Sequence, residues 1–217
     1  MDRTKAEVLR YLGRRRQAVP AELDALVESC MALMRETAAP RHVWRIFDME
    51  DRADGLAPAG TTLVLPGQDI RRRLTGCRRV ALLAATLGVG ADTLIRRWEH
   101  TDLTRALVLD ACANQLIEEV CDEAERAVEA DAAMRSAGRF SPGYGDLPLT
   151  LQPGFLAVLD AGRRIGLTCT ESLILLPRKS VTALIGLGGP ARPAAGRCED
   201  CAARGVCDFA KRGEACP

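Results

Sequence analysis

Aromatic residues and excess basic charge are both scarce in this sequence. Phe, Trp and Tyr make up 4% of the 217 residues, which is few for a surface that stacks nucleic-acid bases. Lys and Arg number 30 against 29 Asp and Glu, which gives a formal net charge of +1. Proteins that bind nucleic acid by neutralising phosphates are usually more basic. The composition therefore argues against a nucleic-acid partner.

Long hydrophobic runs are lacking as well. No segment approaches the roughly 18 uninterrupted apolar residues that are typical of a membrane-spanning helix. The N-terminal sequence, MDRTKAEVLRYLGRRR, holds no apolar stretch of the kind found in secretory signals. We therefore expect a cytoplasmic protein without a membrane partner.

Histidine is rare too, with two residues in the chain. His42 lies at the start of a predicted strand and His100 at the end of a predicted helix. Neither belongs to a Ser-His-Asp or Cys-His pattern, so the sequence gives little support to hydrolysis by an activated nucleophile.

The hydrophobic patterns that are present change repeatedly between helical and strand periods. They predict helices over 4–12, between Pro20 and Pro40, and over 69–74, 92–99, 102–134 and 152–165. They predict strands over 42–47, 61–65, 80–87 and 181–187, and a loop over 48–60. Because helices and strands do not alternate strictly, we expect an α+β fold with an antiparallel or mixed sheet.

A segment of unusual composition, Arg139–Pro148, follows the longest predicted helix. Its sequence, RFSPGYGDLP, contains two glycines and two prolines, which predict a loop with fixed turns. Arg139 offers a planar fork of donors for a carboxylate, and Tyr144 offers an aromatic face and a hydroxyl. These features predict a small-molecule site, and the alternative is a tight connection around a packed tyrosine.

The helix predicted over 102–134 carries several acidic side chains before this loop. Most of them are expected on a solvated face, and one of them could face Arg139. Gly138 fits a C-cap position for that helix. The acidic residues are Glu118, Glu119, Asp122, Glu123 and Glu125.

Cysteines are concentrated at the C-terminus, beyond a Gly, Pro and Ala linker. Four of the nine cysteines, with gaps of two, five and eight residues, predict a zinc site or an iron–sulfur cluster. Disulfides or free thiols are the alternative, and a cytosolic location disfavours disulfides. We expect residues 189–217 to form a linker and a metal-binding tail, with Cys198, Cys201, Cys207 and Cys216 as ligands. The other five cysteines are expected to be buried thiols.

Four segments together resemble the activation domain of cobalamin-dependent methionine synthase, and more closely its free-standing bacterial relatives. The segments are EVLRYLG, AATLG, RFSPGYGDLPL and TESLILLPRKSVTALIG, of which RFSPGYGDLP is the most specific. The resemblance covers roughly residues 4–188, so we expect an activation-like domain over residues 1–188. It implies a twisted antiparallel sheet flanked by helices.

The resemblance also implies a function. Domains of this family bind S-adenosylmethionine and dock on the corrinoid domain of methionine synthase after its cobalt has oxidised to cob(II)alamin. With one electron from a flavodoxin-type donor, the methyl group of S-adenosylmethionine passes to cobalt. The resemblance therefore implies a corrinoid-binding methionine synthase, or a related corrinoid protein, as the partner.

The implied ligand contacts fall on the loop and on the long helix. The family's arginine matches Arg139 and implies a contact with the ligand's carboxylate. Glu118 is the simplest match for a helix glutamate that attracts the ammonium or sulfonium, with Glu119 next to it. The remaining implied contacts are Phe140, Ser141, Pro142 and Gly143 around the adenosyl group, and Tyr144.

Three features differ from the family pattern. The motif that holds the family's acidic residue near the start of the domain is not found in this sequence. A ligand-contacting tyrosine is usual shortly after the position of Val181, where this chain has Thr182, Ala183, Leu184 and Ile185. The cysteine tail has no counterpart in the fused domain and would serve as a redox centre or as a zinc knuckle for docking. The alternative functions are a non-enzymatic module that binds corrinoid proteins without S-adenosylmethionine, and a zinc-tail regulatory protein.

Overall fold

A computed structural model describes residues 3–14 and 18–190. Its main sheet has five strands, and every neighbouring pair is antiparallel. The strands are β1 (Arg41–Arg52), β2 (Gly55–Pro58), β3 (Arg79–Thr86), β4 (Ser136–Phe140) and β7 (Ser180–Leu187). Their order is β2-β1-β3-β7-β4, and β5 (Thr168–Cys169) and β6 (Leu175–Leu176) form a separate pair. The α+β prediction is confirmed, with an antiparallel rather than a mixed sheet.

Seven α-helices surround the sheet in the described part of the chain. They are α1 (Arg3–Tyr11), α2 (Ala21–Thr37), α3 (Gln68–Arg73), α4 (Val89–Glu99), α5 (Leu103–Ala132), α6 (Gln152–Leu159) and α7 (Ala161–Ile165). None of these helices is long and apolar enough to cross a membrane.

Strand β3 lies in the middle of the sheet, and helices cover both of its faces. Val80, Leu82 and Ala84 belong to the core that holds Phe155 and Leu159 of α6. Ala81 and Leu83 pack with residues of the C-terminal half of α5. Since successive strand residues point to opposite faces, a continuous apolar run such as RVALLAAT is what a doubly covered strand requires.

Helix α5 is the longest helix and crosses one face of the sheet. Its N-cap is Asp102, whose carboxylate accepts a hydrogen bond from the Arg105 amide at 2.9 Å. Its C-cap is Ala133, which adopts a left-handed conformation. The predicted cap at Gly138 is therefore wrong. Gly138 lies within β4 with φ of 88°, where a register shift interrupts the pairing with β7.

Three other local predictions differ from the structure. The predicted strand over 61–65 is wrong, because this segment forms only an isolated bridge between Leu56 and Leu65. The predicted loop over 48–60 instead contains the end of β1 and the whole of β2, whose four residues are buried. The single helix predicted over 152–165 is divided into α6 and α7 at Asp160, which has a positive φ.

The cysteines fall into two groups. Cys30, Cys77, Cys112 and Cys121 are buried, as predicted, whereas Cys169 is half-buried. Burial raises the pKa of the Cys112 and Cys121 thiols to about 12. The predicted metal ligands Cys198, Cys201, Cys207 and Cys216, with most of the linker, lie outside the described residues.

Candidate functional site

Strand β4 positions Arg139, so this arginine lies in the sheet rather than in the loop as predicted. Arg139 pairs with Ile185 of β7, and the next residue, Phe140, pairs with Leu184. Consecutive strand residues point to opposite faces. The Arg139 side chain reaches α5, whereas Phe140 packs against the core beside α6. The side chains of Arg139 and Phe140 therefore lie on opposite faces of the sheet.

Three carboxylates of α5 surround the guanidinium of Arg139. Nη2 donates to Glu118 at 2.9 Å, and Nη1 donates to Asp122 at 2.8 Å and to Glu125 at 2.7 Å. Spacings of four and three residues place these acids on one side of the helix. We call Arg139, Glu118, Asp122 and Glu125 the Arg139 cluster. One positive charge there faces three negative charges, which leaves an excess of two negative charges.

The three acidic side chains of the Arg139 cluster differ in their exposure to solvent. Side-chain exposure is 20% at Glu125, 45% at Glu118 and 56% at Asp122. Glu125 also accepts a hydrogen bond from the Ser136 hydroxyl, so it ties the start of β4 to α5. Glu118 and Asp122 are thus the members that a solute can reach.

The acidic surroundings keep Arg139 charged. Burial by itself would lower the pKa of Arg139, but the hydrogen bond with Asp122 and the nearby negative charges raise it above its ordinary value. The guanidinium is therefore a permanent cation in this cluster.

Glu118 and Glu119 point in different directions although they are adjacent. Glu119 accepts hydrogen bonds from Arg35 of α2 at 2.9 Å and from the Thr4 hydroxyl of α1 at 3.0 Å. Glu118 belongs to the Arg139 cluster. Glu118, the glutamate that the resemblance matched most simply, lies beside Arg139, whereas the neighbouring Glu119 does not.

The segment after β4 is a compact turn. The Tyr144 amide donates to the Ser141 carbonyl at 3.1 Å, and the Gly143 amide donates to the Leu147 carbonyl at 2.8 Å. Pro142 and Leu147 are buried, whereas Gly143 and Tyr144 are exposed. Tyr144 as a residue is 64% exposed, so the alternative of a packed tyrosine does not hold.

Aromatic and basic side chains meet on the side of the turn opposite the Arg139 cluster. The rings of Phe140 and Tyr144 are 6.2 Å apart and tilted by 49°. The guanidinium of Arg73, from α3, lies 5.9 Å from the centre of the Phe140 ring. Arg73 also donates to the Arg139 carbonyl at 3.1 Å.

Some residues around this site were not singled out from the sequence. Asp122 and Glu125 were assigned to a solvated helix face, although their spacing from Glu118 was a usable signal. Arg73 gave no signal, because its contact with β4 depends on how α3 packs.

The region in which the family pattern has a tyrosine, residues 182–185 here, has no tyrosine. The Thr182 hydroxyl donates to Gln152 Oε1 at 2.6 Å, and both residues are at most 5% exposed. This hydrogen bond pairs two buried polar groups between β7 and the start of α6.

No group of three or more His, Cys, Asp or Glu residues arranged to hold a metal occurs within 3–14 and 18–190.

No protein-family model and no curated protein sequence matches this chain. Its fold, however, is that of a known structure, a crystal structure of the MetH reactivation domain bound to AdoHcy. The TM-score is 0.64 at 16% sequence identity, and the match covers 88% of this chain and 76% of that one. The fold expected from the resemblance is confirmed.

Proposed function

We propose that this chain binds S-adenosylmethionine at the Arg139 cluster and the adjoining turn. The observation that carries the proposal is the Arg139–Glu118 ion pair on one face of β4, followed directly in the chain by the turn that carries Phe140 and Tyr144 on the other side. Its support from outside the chain is the shared fold with a reactivation domain whose crystal structure contains AdoHcy. Phe140, Ser141, Pro142 and Gly143 are the proposed contacts of the adenosyl group, together with Tyr144.

The Arg139–Glu118 pair suits the amino-acid end of the ligand, which carries both a carboxylate and an ammonium. The ligand carboxylate replaces Glu118 on Nη2 of Arg139, and the ammonium takes the freed Glu118 carboxylate. Each charge then keeps a partner of opposite sign. Asp122 and Glu125 continue to hold Nη1, so the guanidinium keeps its orientation during the exchange.

The excess negative charge in the cluster suits the cationic sulfur of the ligand. S-adenosylmethionine carries a sulfonium, whereas its demethylated product carries a neutral thioether. Glu118 and Asp122, which are the exposed acids of the cluster, attract the sulfonium through space. The site therefore holds the methyl donor more firmly than the spent product.

We further propose that the ligand serves to reactivate a separate corrinoid methyltransferase. One electron reduces cobalt(II), the methyl carbon bonds to cobalt, and the carbon–sulfur bond breaks with its electron pair on sulfur. The chain would position the methyl group, and cobalt and the sulfonium would supply the bond chemistry. The electron would come from a flavodoxin-type donor or from an iron–sulfur centre at Cys198, Cys201, Cys207 and Cys216. Zinc at those cysteines would indicate docking instead.

Calorimetric titration of the full chain with S-adenosylmethionine tests the binding site, with two adjacent glutamates as a matched pair. Glu118→Gln should weaken binding by roughly fivefold or more, since a partly exposed charge pair contributes about 1 kcal/mol. Glu119→Gln changes the same side chain one residue away, on the side of α5 that faces Arg35, and should bind as wild type does. Equal effects of the two substitutions would remove the assignment.

An activity assay tests the reactivation step. The full chain, S-adenosylmethionine and reduced flavodoxin should restore turnover to a cob(II)alamin-inactivated methionine synthase that lacks its own activation domain. Omission of the chain or of S-adenosylmethionine should abolish the recovery. If recovery does not depend on the chain, this part of the proposal is wrong.

A second candidate function is a module that binds corrinoid proteins without S-adenosylmethionine. The observation in its favour is that the region in which the family pattern has a ligand-contacting tyrosine holds no tyrosine here and contains the buried Thr182–Gln152 pair. Such a protein would still capture a corrinoid protein in a pull-down assay. It would give no calorimetric heat with S-adenosylmethionine.

A further inference from the structure

Helix α3 is fastened to the candidate ligand turn at its N-terminus. The Asp146 carboxylate accepts hydrogen bonds from the Gln68 amide at 2.6 Å and the Asp69 amide at 3.0 Å. In return, the Asp69 carboxylate accepts from the Asp146 amide at 3.3 Å. Two segments about 77 residues apart in sequence thus cap each other, in the manner of a capping box formed across the fold.

The surrounding backbone is shaped to allow this contact. Gly67 and Gly145 both have positive φ, and each lies against one of the two carboxylates. A Cβ atom at Gly67 would overlap the Asp146 carboxylate, and one at Gly145 would overlap that of Asp69. The two carboxylates therefore approach the chain as closely as they do only because both positions are glycine.

The opposite end of α3 contacts the start of the turn. Arg73 donates to the Arg139 carbonyl and lies over the Phe140 ring, as described above. Ile70, between these two ends, is fully buried in the core beneath the turn. The helix is consequently attached to the segment on both sides of Ser141–Gly143.

We propose that Asp146 is a positioning residue for the ligand turn, acting through α3. It touches no ligand in this proposal. It holds the turn in the conformation that presents Phe140 and Tyr144 before any ligand arrives, so that binding does not have to order the turn. The ligand half of this inference rests on the proposed S-adenosylmethionine site, whereas the lock between Asp146 and α3 does not.

Hydrogen exchange of the ligand-free full chain tests the lock. The amides of Gly143, Tyr144 and Leu147 are bonded within the turn and report on its opening. Asp146→Ala should speed their exchange by about tenfold, and Asp146→Asn, which keeps one acceptor oxygen, should have a smaller effect. Asp51→Asn is the matched control, because Asp51 pairs with Arg71 of the same helix but does not contact the turn.

Calorimetry on the same variants tests the positioning role. Asp146→Ala should weaken S-adenosylmethionine binding by about tenfold, with partial recovery in Asp146→Asn and wild-type affinity in Asp51→Asn. Unchanged exchange, or faster exchange with wild-type affinity, would overturn the proposal. If the wild-type chain gives no heat, the proposed function fails instead, and the exchange experiment by itself decides whether the lock exists.

Discussion

Helix α5 binds one cationic side chain in its first half and another in its second half, and the net charges of the two groups differ. In its first half, Asp110 and Asn114 bind the ammonium of Lys179 at 2.6 and 2.7 Å. We call these three residues the Lys179 cluster. One positive charge there meets one carboxylate, so the group is neutral. The Arg139 cluster, in the second half of α5, has two negative charges in excess.

A carboxylate that accepts two backbone hydrogen bonds holds each cation's segment to a helix. Asp92 of α4 accepts from the Arg178 and Lys179 amides at 2.6 and 3.2 Å, whereas Asp146, in the turn after Arg139, accepts from two amides of α3. The Lys179 segment continues into β7 and closes the fold. The Arg139 segment continues into an exposed turn with a tyrosine. Both clusters thus pair a cation with carboxylates of α5. The Lys179 cluster has a structural role, whereas the Arg139 cluster is part of the ligand site that we propose.

Replacing each of the two cations with alanine should give the largest difference between the two clusters. Arg139→Ala should weaken S-adenosylmethionine binding by about 2 kcal/mol, roughly thirtyfold, because the ligand carboxylate loses its partner beside three carboxylates. Lys179→Ala should leave this affinity unchanged. Both substitutions should lower the free energy of unfolding by about 1–2 kcal/mol, since each breaks partly screened charged hydrogen bonds.

Calorimetry and urea unfolding of both variants check this contrast. The two assays must be read together, because a loss of stability alone would affect both variants. Weaker binding in Lys179→Ala would erase the distinction between the clusters. Unchanged binding in Arg139→Ala would exclude Arg139 as a ligand contact.

The turn after β4 was predicted well from the sequence because its signals are local. Pro142, Gly143 and Gly145 specify turns through their own backbone preferences. The partners of Arg139 were harder to predict, since they depend on tertiary packing. They follow from the pairing of β4 with β7 beside α5, and β4 itself was missed because its short SAGRF sequence contains a glycine at a bulge.

The wrong strand over 61–65 has a comparable physical cause. Its TTLVL sequence has strand propensity, and Leu63 and Leu65 are buried in the core. However, β2 already occupies the edge of β1, so this segment contributes side chains to the core and only one bridge to the backbone pairing. Propensity identified an apolar segment correctly but could not show that its place in the sheet was filled.

Discrimination between the methyl donor and its product sharpens the comparison further. The excess charge of the Arg139 cluster should favour S-adenosylmethionine over S-adenosylhomocysteine by about fivefold, or roughly 1 kcal/mol for a partly exposed charge. Asp122→Asn should reduce this preference, and Asp110→Asn in the Lys179 cluster should not. Calorimetric competition between the two ligands measures the ratio. A ratio unaffected by Asp122→Asn would show that the carboxylates do not sense the sulfonium.

The smallest expected effect is the pH dependence of the lock between Asp146 and α3. The hydrogen bond from the Gln68 amide, aided by that from Asp69 and opposed by slight desolvation, lowers the pKa of Asp146 below its ordinary value. A carboxyl whose folded pKa lies below its unfolded pKa of about 3.9 stabilises the fold above that pH. This stabilisation is lost as the pH falls through the folded pKa.

Thermal melting of wild type and Asp146→Asn between pH 7 and 3 measures this contribution. The wild type should melt at the higher temperature, with a constant difference at pH 7 and 5 that shrinks below about pH 4. Asn114→Ala, in the Lys179 cluster, is the comparison because it removes a side chain that does not titrate. Its own difference from wild type should not shrink in step with that of Asp146→Asn. If the Asp146→Asn difference stays constant down to pH 3, the negative charge of Asp146 does not contribute to it, and the difference comes from the hydrogen-bond acceptor that asparagine lacks.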